Sequence, residues 1–155
     1  MPVEYIPRTR DLYSDFIPYR WVVNETVPFT PLKKPIAECK VAMISSGGMM
    51  YRDQPRFHRE DASYRRIPKN ARRDELNVWH FGYPTHDAEQ DPNCVFPLDR
   101  LRELEAAGVI GELVDPVFSF MGGIYSTRKV REELAPKIVD ELKRAHADAF
   151  YLVPA

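Results

Sequence analysis

The side chains of this sequence best suited to chemistry crowd into one stretch: His80, His86, Asp91, Asn93 and Cys94. A histidine and a carboxylate can transfer or orient a proton near neutral pH, which makes His80 and Asp91 the candidate catalytic residues. His80, His86, Asp91 and Cys94 can also be read as a metal set. No two of them have the spacing of a familiar zinc pair, so no metal site is expected. The remaining reading is of hydrogen-bonding loop groups, or of substrate ligands and acid/base groups. Cys94 precedes Val95 and Phe96, which points to a small buried hydrophobe more than to a nucleophile.

Two small-residue loops could bind rather than react. Lys40-Val41-Ala42-Met43-Ile44-Ser45 reads as a strand that Ser45-Ser46-Gly47-Gly48 ends abruptly, and Met121-Gly122-Gly123 ends a second strand in the same way. Loops at strand ends in α/β sheets offer backbone N–H groups to anionic ligands. Ser45, Ser46, Gly47, Gly48, Asn93, Gly122 and Gly123 are therefore the candidate substrate-binding residues. There is no GxGxxG, and Met49–Pro55 runs towards proline instead of a helix, so a dinucleotide fingerprint is absent. A turn needed only for chain reversal is the competing reading of Ser45–Gly48.

These residues need a scaffold, and its pieces are visible. Asn93–Leu104 reads as a loop entering an amphipathic helix, with Pro97 in its first turn and Leu98, Leu101 and Leu104 on one face. Gly108 then closes it as a left-handed cap. Leu76–Tyr83 reads as a strand with Leu76, Val78 and His80 on one face. Glu112–Phe120 contains a third strand centred on Val117–Phe120. Val130, Leu134, Ile138 and Leu142 recur four apart in a helix capped by Ser126 or Thr127. Pro136 inside that pattern implies a kink, or a helix that starts near Leu134. Ala149–Val153 is uniformly apolar and is expected inside a parallel sheet. The alternation of strands and helices indicates an α/β fold, a three-layer, mostly parallel sheet of flavodoxin/Rossmann-like type.

Residues 1–36 form a proline- and aromatic-rich N-terminal arm, and residues 37–155 a single α/β domain. Prolines 2, 7, 18, 28, 31 and 35 interrupt the arm. Tyr5, Ile6, Tyr13, Phe16, Ile17, Tyr19, Trp21 and Phe29 give it apolar surface that would be costly to leave in water. The arm is expected to cover its own domain or to join a partner subunit in a homo-oligomer. Between the first two strands, Arg52–Arg73 is basic with interleaved Phe57 and Tyr64, but Asp53, Glu60, Asp61, Asp74 and Glu75 dilute its field. A solvated loop, or one closing over a small carboxylate substrate, fits that segment better than nucleic-acid binding does.

The bulk properties agree with a single soluble domain. The chain has 155 residues, 44% of them hydrophobic and 29% charged, with a formal net charge of −1. That charge makes no case for nucleic acid or an anionic membrane. No apolar run reaches the ~20 residues of a membrane span, and the N-terminus lacks a signal-peptide pattern, so a cytoplasmic protein is expected. Two cysteines, Cys39 and Cys94, make a disulfide framework unexpected there.

Several ordered motifs carry a resemblance. They are Pro31-Leu32-Lys33-Lys34-Pro35, Val41-Ala42-Met43-Ile44-Ser45-Ser46-Gly47-Gly48 and Ser63-Tyr64-Arg65-Arg66-Ile67-Pro68. Next comes Asp91 with Asn93-Cys94-Val95-Phe96-Pro97-Leu98-Asp99-Arg100-Leu101-Arg102-Glu103-Leu104. Gly108-Val109-Ile110-Gly111 and Ser119-Phe120-Met121-Gly122-Gly123 complete the set. From about residue 28 onward the chain resembles the selenoprotein B subunits of glycine, sarcosine, betaine and D-proline reductases.

The resemblance implies reductive cleavage of a C–N bond at the α-carbon of a small amine or amino acid. It also implies a selenocysteine nucleophile and a partner subunit bearing a pyruvoyl group that binds the substrate amine. In that family the strand resembling Ala149–Ala155 leads directly into the selenocysteine, whereas Pro154-Ala155 are the last residues here. Selenocysteine is encoded by UGA, and a reading of UGA as a stop would end the chain at this point. The expectation is thus the N-terminal part of a selenoprotein B-like subunit, inactive alone and with no cofactor of its own. The alternative is a short, non-catalytic small-molecule-binding or assembly module of the same fold.

Overall fold

The computed structural model describes residues 5–12, 14–15 and 25–155. The chain divides into two compact units, Met1–Pro31 and Leu32–Ala155. In the first, helix α1 spans Tyr5–Leu12. Pro7 is its third residue, where a missing N–H costs nothing because the first turn's N–H groups have no partner in the helix. Phe29 is exposed. Of the arm's other aromatic and apolar residues, Tyr13, Phe16, Ile17, Tyr19 and Trp21 lie outside the described residues, and Tyr5 and Ile6 are described in their backbone only.

The second unit contains β1 (Lys40–Ser45), β2 (Met49–Tyr51), β3 (Tyr64–Ile67), β4 (Leu76–Val78), α2 (His86–Gln90), α3 (Leu98–Ala106), β5 (Glu112–Leu113) and β6 (Val117–Phe120). It closes with α4 (Thr127–Lys129), a π-helical turn (Val130–Leu134), α5 (Ala135–Arg144) and β7 (Ala149–Val153). Strand β1 is the centre of the main sheet. On one side β7 runs parallel to it, from Val41↔Ala149 to Ser45↔Val153. On the other side β5 pairs with the start of β1 and β6 with its end, both parallel. The register slips by two residues between Val41↔Leu113 and Ile44↔Phe118, over a bend that contains the cis Asp115–Pro116 bond. Strand β3 lies antiparallel on the outer side of β6. The result is an α/β fold with a mixed, mostly parallel sheet.

Alternation along β1 divides the core. Val41 and Met43 join Phe96, Leu98, Leu101, Leu113 and Val117 in one cluster, to which α3 contributes Leu98 and Leu101. Ile44 joins Phe118, Leu134 and Ile138 in another, reached by the π turn and α5. Successive side chains of a strand point to opposite faces, so a strand buried on both faces reads as a continuous apolar run. Five of the six β1 residues are buried.

Three expectations need correction. Strand β4 ends at Val78 and pairs antiparallel with β2, outside the main sheet, so His80 is not on a strand face. Trp79 still donates its N–H to the Gly48 carbonyl at 3.0 Å, but the chain then turns away. The second correction concerns β7. It pairs with β1 alone, and Phe150, Tyr151 and Leu152 are 55%, 48% and 49% exposed. An apolar strand is suited to neighbours on every side, but its composition does not place them.

Third, the Arg52–Arg73 segment is not all loop, because Tyr64–Ile67 forms β3. Its charged residues hid it, yet Arg65 is buried. The second of the two readings of Pro136 holds: α5 starts at Ala135 with Leu134 as its N-cap and Pro136 in its first turn, and a π turn precedes it. A wider turn accommodates a residue that cannot donate to the carbonyl four positions back. The caps agree with the sequence. Ser126 Oγ accepts the Lys129 N–H, and Gly108 closes α3 with φ of 68°.

Candidate functional site

Strand β1 ends in Ser45–Gly48, a fully buried turn beside the C-terminal ends of β6 and β7. Its polar groups tie these ends together. Ser45 Oγ donates to the Val95 carbonyl at 2.5 Å and accepts the Gly47 N–H at 2.9 Å. The Ser46 N–H donates to the Val153 carbonyl at 3.0 Å, and the Ser46 carbonyl accepts the Gly122 N–H at 2.9 Å. Ser46 Oγ accepts the Ala155 N–H at 2.9 Å. The Gly48 N–H reaches the Phe120 carbonyl at 2.9 Å, and Ser119 Oγ accepts the Met49 N–H at 2.9 Å. The N–H groups of Ser46, Gly47 and Gly48 are thus all bonded within the chain.

Two glycines here are demanded by geometry. Gly48 has φ of 73°, and a Cβ on it would lie 2.1 Å from the Trp79 carbonyl oxygen. At Gly122 a Cβ would lie 2.9 Å from Ser46 Cβ, so the second glycine loop presses directly on the first. Gly123 in turn faces the ring of Phe81. The structure therefore brings Ser45, Ser46, Gly47, Gly48, Gly122 and Gly123 into one place.

The connection after β4 packs on this turn. Tyr83 donates its hydroxyl to the Gly47 carbonyl at 2.6 Å, and its ring centroid lies 4.6 Å from that of His80. Burial, with the nearby Cys94, pushes the Tyr83 phenol up to about 12. His80 Nδ1 accepts the Gly82 N–H at 2.9 Å. An accepting Nδ1 places the proton of the neutral ring on Nε2. That Nε2 is buried and is the one such side-chain nitrogen or oxygen without a hydrogen-bond partner among the described residues. Burial also lowers the His80 pKa, which favours the neutral ring.

Asp91 and Asn93 do different work. Asp91 is exposed and accepts from the Asn93 N–H at 3.1 Å and from Asn93 Nδ2 at 2.9 Å, bonds that lower its pKa. Asn93 also donates Nδ2 to Asp99 at 3.0 Å and accepts the Asp99 N–H at 3.1 Å. Asn93 therefore holds the start of α3, satisfying an N–H that the helix leaves open. No hydrogen bond or ion pair joins Asp91 to His80.

Cys94 departs from its expectation as a packing residue: it is exposed. The 3-10 turn Pro92–Cys94 buries Pro92 and, just beyond, Phe96, and leaves the cysteine between them facing out. Partial burial of its sulfur and the Asp91 and Asp87 carboxylates push the thiol up, away from a reactive thiolate. His86 lies on α2, where its Nε2 meets Gln90 at 2.6 Å. No group of three or more His, Cys, Asp or Glu side chains among the described residues could hold a metal ion.

The sequence did not single out Tyr83, Trp79 or Phe81. Trp79 and Phe81 pack with Met50, Phe57 and Met121 in a third apolar cluster, and Met121 bridges Gly47. Their involvement depends on β2, β4 and β6 converging, which no local pattern reveals. Among the described residues, no helix is long and apolar enough to cross a membrane.

Comparison with known proteins gives these features a family. Residues 17–155 match the family model for glycine/sarcosine/betaine reductase selenoprotein B. The chain is 35% identical over 125 residues to the D-proline reductase subunit gamma of Acetoanaerobium sticklandii, covering 80% of this chain and 52% of that one. It is 31% identical over 132 residues to the sarcosine reductase complex component B subunit beta of Peptoclostridium acidaminophilum, covering 79% of this chain and 30% of the relative. The glycine reductase complex component B subunit gamma of Symbiobacterium thermophilum is also 31% identical, over 135 residues, covering 83% of this chain and 31% of the relative. The chain thus spans from 30% to 52% of the length of these relatives. No solved structure matches it. With the matched region taking in the Ser45–Gly48 turn, the Asn93 brace and the Gly122–Gly123 loop, the chain belongs to the glycine/sarcosine/betaine reductase selenoprotein B family.

Proposed function

We propose that this chain is a selenoprotein B-like subunit of a reductase that cleaves the α-carbon C–N bond of a small amine or amino acid. The substrate is of the glycine, sarcosine, betaine or D-proline type, the compounds for which the relatives' reductases are named. The observation that carries this reading is the hydrogen bond from the Ala155 N–H to Ser46 Oγ at 2.9 Å. It holds the chain leaving β7 against the turn of β1 and the Gly122–Gly123 loop, at the C-terminal edge where parallel sheets bind ligands. By the family resemblance, the selenocysteine follows the strand matching Ala149–Ala155. When present, its selenolate supplies the nucleophile for this chemistry.

The residues of this chain are assigned binding and positioning. Ser45, Ser46, Gly47, Gly48, Gly122 and Gly123 form the wall of the substrate site. His80 donates a hydrogen bond from its Nε2–H, the buried group that has no partner, and so orients proton transfer together with Asp91. Asn93 braces the loop. The 155 residues alone are inactive in reduction, and a pyruvoyl-bearing partner subunit takes the substrate amine. Helices α3 and α5 reaching different core clusters across β1 support a three-layer, flavodoxin/Rossmann-like arrangement. The exposed apolar edge of β7 favours a second reading, in which the chain is an assembly module that pairs with a partner or with a copy of itself.

The test is to read the message beyond codon 155, express the full translated product with its partner subunit, and assay glycine, sarcosine, betaine and D-proline. Cleavage of at least one, lost on His80→Ala with thermal stability nearly unchanged, supports the assignment. A different stop codon with no cleavage by the assembled subunits leaves the assembly module as the function.

A further inference from the structure

Two arginines between β2 and β3, and a third on β3 itself, lie over aromatic rings of the third cluster. Arg65 sits 4.0 Å from the centroid of Phe57, Arg56 5.0 Å from that of Trp79 and Arg59 5.1 Å from that of Phe81. They are not equivalent. Arg65 is buried and fully engaged, with Asp61 at 3.7 Å, the Pro55 carbonyl at 2.9 Å and Ser63 Oγ at 2.7 Å. Arg56 and Arg59 are exposed, and neither guanidinium has a hydrogen bond or ion pair among the described residues.

The acids nearest them in sequence are committed elsewhere. Glu60 accepts the Tyr125 N–H at 3.0 Å, and Asp61 accepts the Ser63 N–H at 2.8 Å while facing Arg65. Other bonds fix the backbone that carries the two free arginines: the Asp61 N–H meets the His58 carbonyl at 3.2 Å, and Lys129 Nζ meets the Glu60 carbonyl at 3.1 Å.

Their location matters as much as their charge. Phe81, under Arg59, is so close to Gly123 that a Cβ there would lie 2.2 Å from the ring. Trp79, under Arg56, donates its N–H to Gly48. Both platforms are thus anchored on the two glycine loops of the candidate site, and they flank His80 in sequence. A guanidinium stacked on a ring keeps its in-plane N–H edge free, and that edge matches the two oxygens of a carboxylate.

We propose that Arg56 and Arg59, held on Trp79 and Phe81, are the carboxylate-recognition group of this site and take the carboxylate of a small amino acid. This rests on the function proposed above, because glycine, sarcosine, betaine and D-proline differ at nitrogen or in their carbon skeleton but share one carboxylate. Recognition of that common group leaves the amine end free for the partner subunit.

The test uses the 155-residue chain labelled with nitrogen-15. Guanidinium Nε–H and Trp79 indole signals are followed during titration with the four amino acids, with glycinamide and D-prolinamide, and with inorganic phosphate. The expected result is saturable shifts at Arg56, Arg59 and Trp79 with at least one amino acid and none with its carboxamide. Arg56→Gln and Arg59→Gln should each raise Kd about tenfold, while Arg100→Gln, in the exposed ion pair with Glu103 on α3, leaves it unchanged. Both glutamine variants alter exposed side chains, and their amide spectra report whether the fold persists. Equal affinity in wild type and both variants overturns the clamp while leaving an amino-acid site elsewhere on the chain. Saturation by phosphate alone, or by nothing, also overturns it, and the reductase assignment is then decided separately by turnover of the assembled subunits.

Discussion

Tyr83 and Gly47 are joined by a hydroxyl-to-carbonyl hydrogen bond of 2.6 Å that ties the connection after β4 to the turn ending β1. The bond is partly buried and anchors the ring against which His80 packs. Tyr83→Phe should therefore cost about 1 kcal/mol, measured by urea unfolding, and speed amide exchange at Gly47 and Gly48. Unchanged exchange would show that the turn is held without Tyr83.

The raised Tyr83 phenol also makes a pH prediction. Its folded value of about 12 exceeds its ordinary value of 10.0, so the folded state holds this proton more tightly than the unfolded chain does. Its contribution to stability is complete below pH 10 and declines as pH rises from there towards 12. Tyr83→Phe should flatten that part of the stability profile. An identical alkaline profile in the variant would rule the linkage out.

His80 has the opposite sign. Burial lowers its pKa below the ordinary 6.5, so the unfolded chain binds the proton more readily. The contribution is present above pH 6.5 and is lost as pH falls through the folded value. Ring NMR of the four histidines should show His80 titrating below 6.5, as the Nε2-protonated tautomer when neutral. A His80 midpoint at or above 6.5 would contradict the buried, neutral ring.

Gly48 and Gly108 both have positive φ, yet their surroundings differ. A Cβ on Gly48 would meet the Trp79 carbonyl at 2.1 Å, whereas nothing lies within 4 Å of one on Gly108. Gly108→Ala should cost about 1 kcal/mol, from backbone strain alone. Gly48→Ala should lose at least about 3 kcal/mol or fail to fold. Comparable midpoints of thermal unfolding for the two variants would refute this distinction.

Asp61 faces the buried Arg65, with side chains only 8% and 10% exposed. Removing the acid strands a buried cation, so Asp61→Ala should cost about 3 kcal/mol in chemical denaturation. A loss below about 1 kcal/mol, the range of surface pairs, would mean that water or another group neutralises Arg65.

Much of the scaffold was legible because periodicity is a local property. Leu98 and Leu101 on the buried face of α3, the caps at Ser126 and Gly108, and the existence of β1, β6 and β7 as strands all follow from local spacing, whereas Leu104 of α3 is exposed. The family, too, could be read from ordered motifs. What escaped were elements whose meaning lies in a distant partner. Strand β3 carries arginines because Phe57 and Asp61 receive Arg65, and the short β2–β4 pair exists only through mutual pairing.

The site divides in the same way. Residue types alone identified the serine and glycine turn, His80, Asp91 and Asn93 as groups worth attention, because their chemistry belongs to the side chain or to the missing Cβ. Tertiary structure decided their circumstances. It bonded the turn's N–H groups internally, left His80 Nε2 buried without a partner, turned Cys94 outward and placed β7 at an edge. It also laid Arg56 and Arg59 on rings more than twenty residues away. The sequence thus determined a family and a set of candidate groups, whereas burial and long-range contact, which depend on the whole packed sheet, decided which of those groups remain free to act.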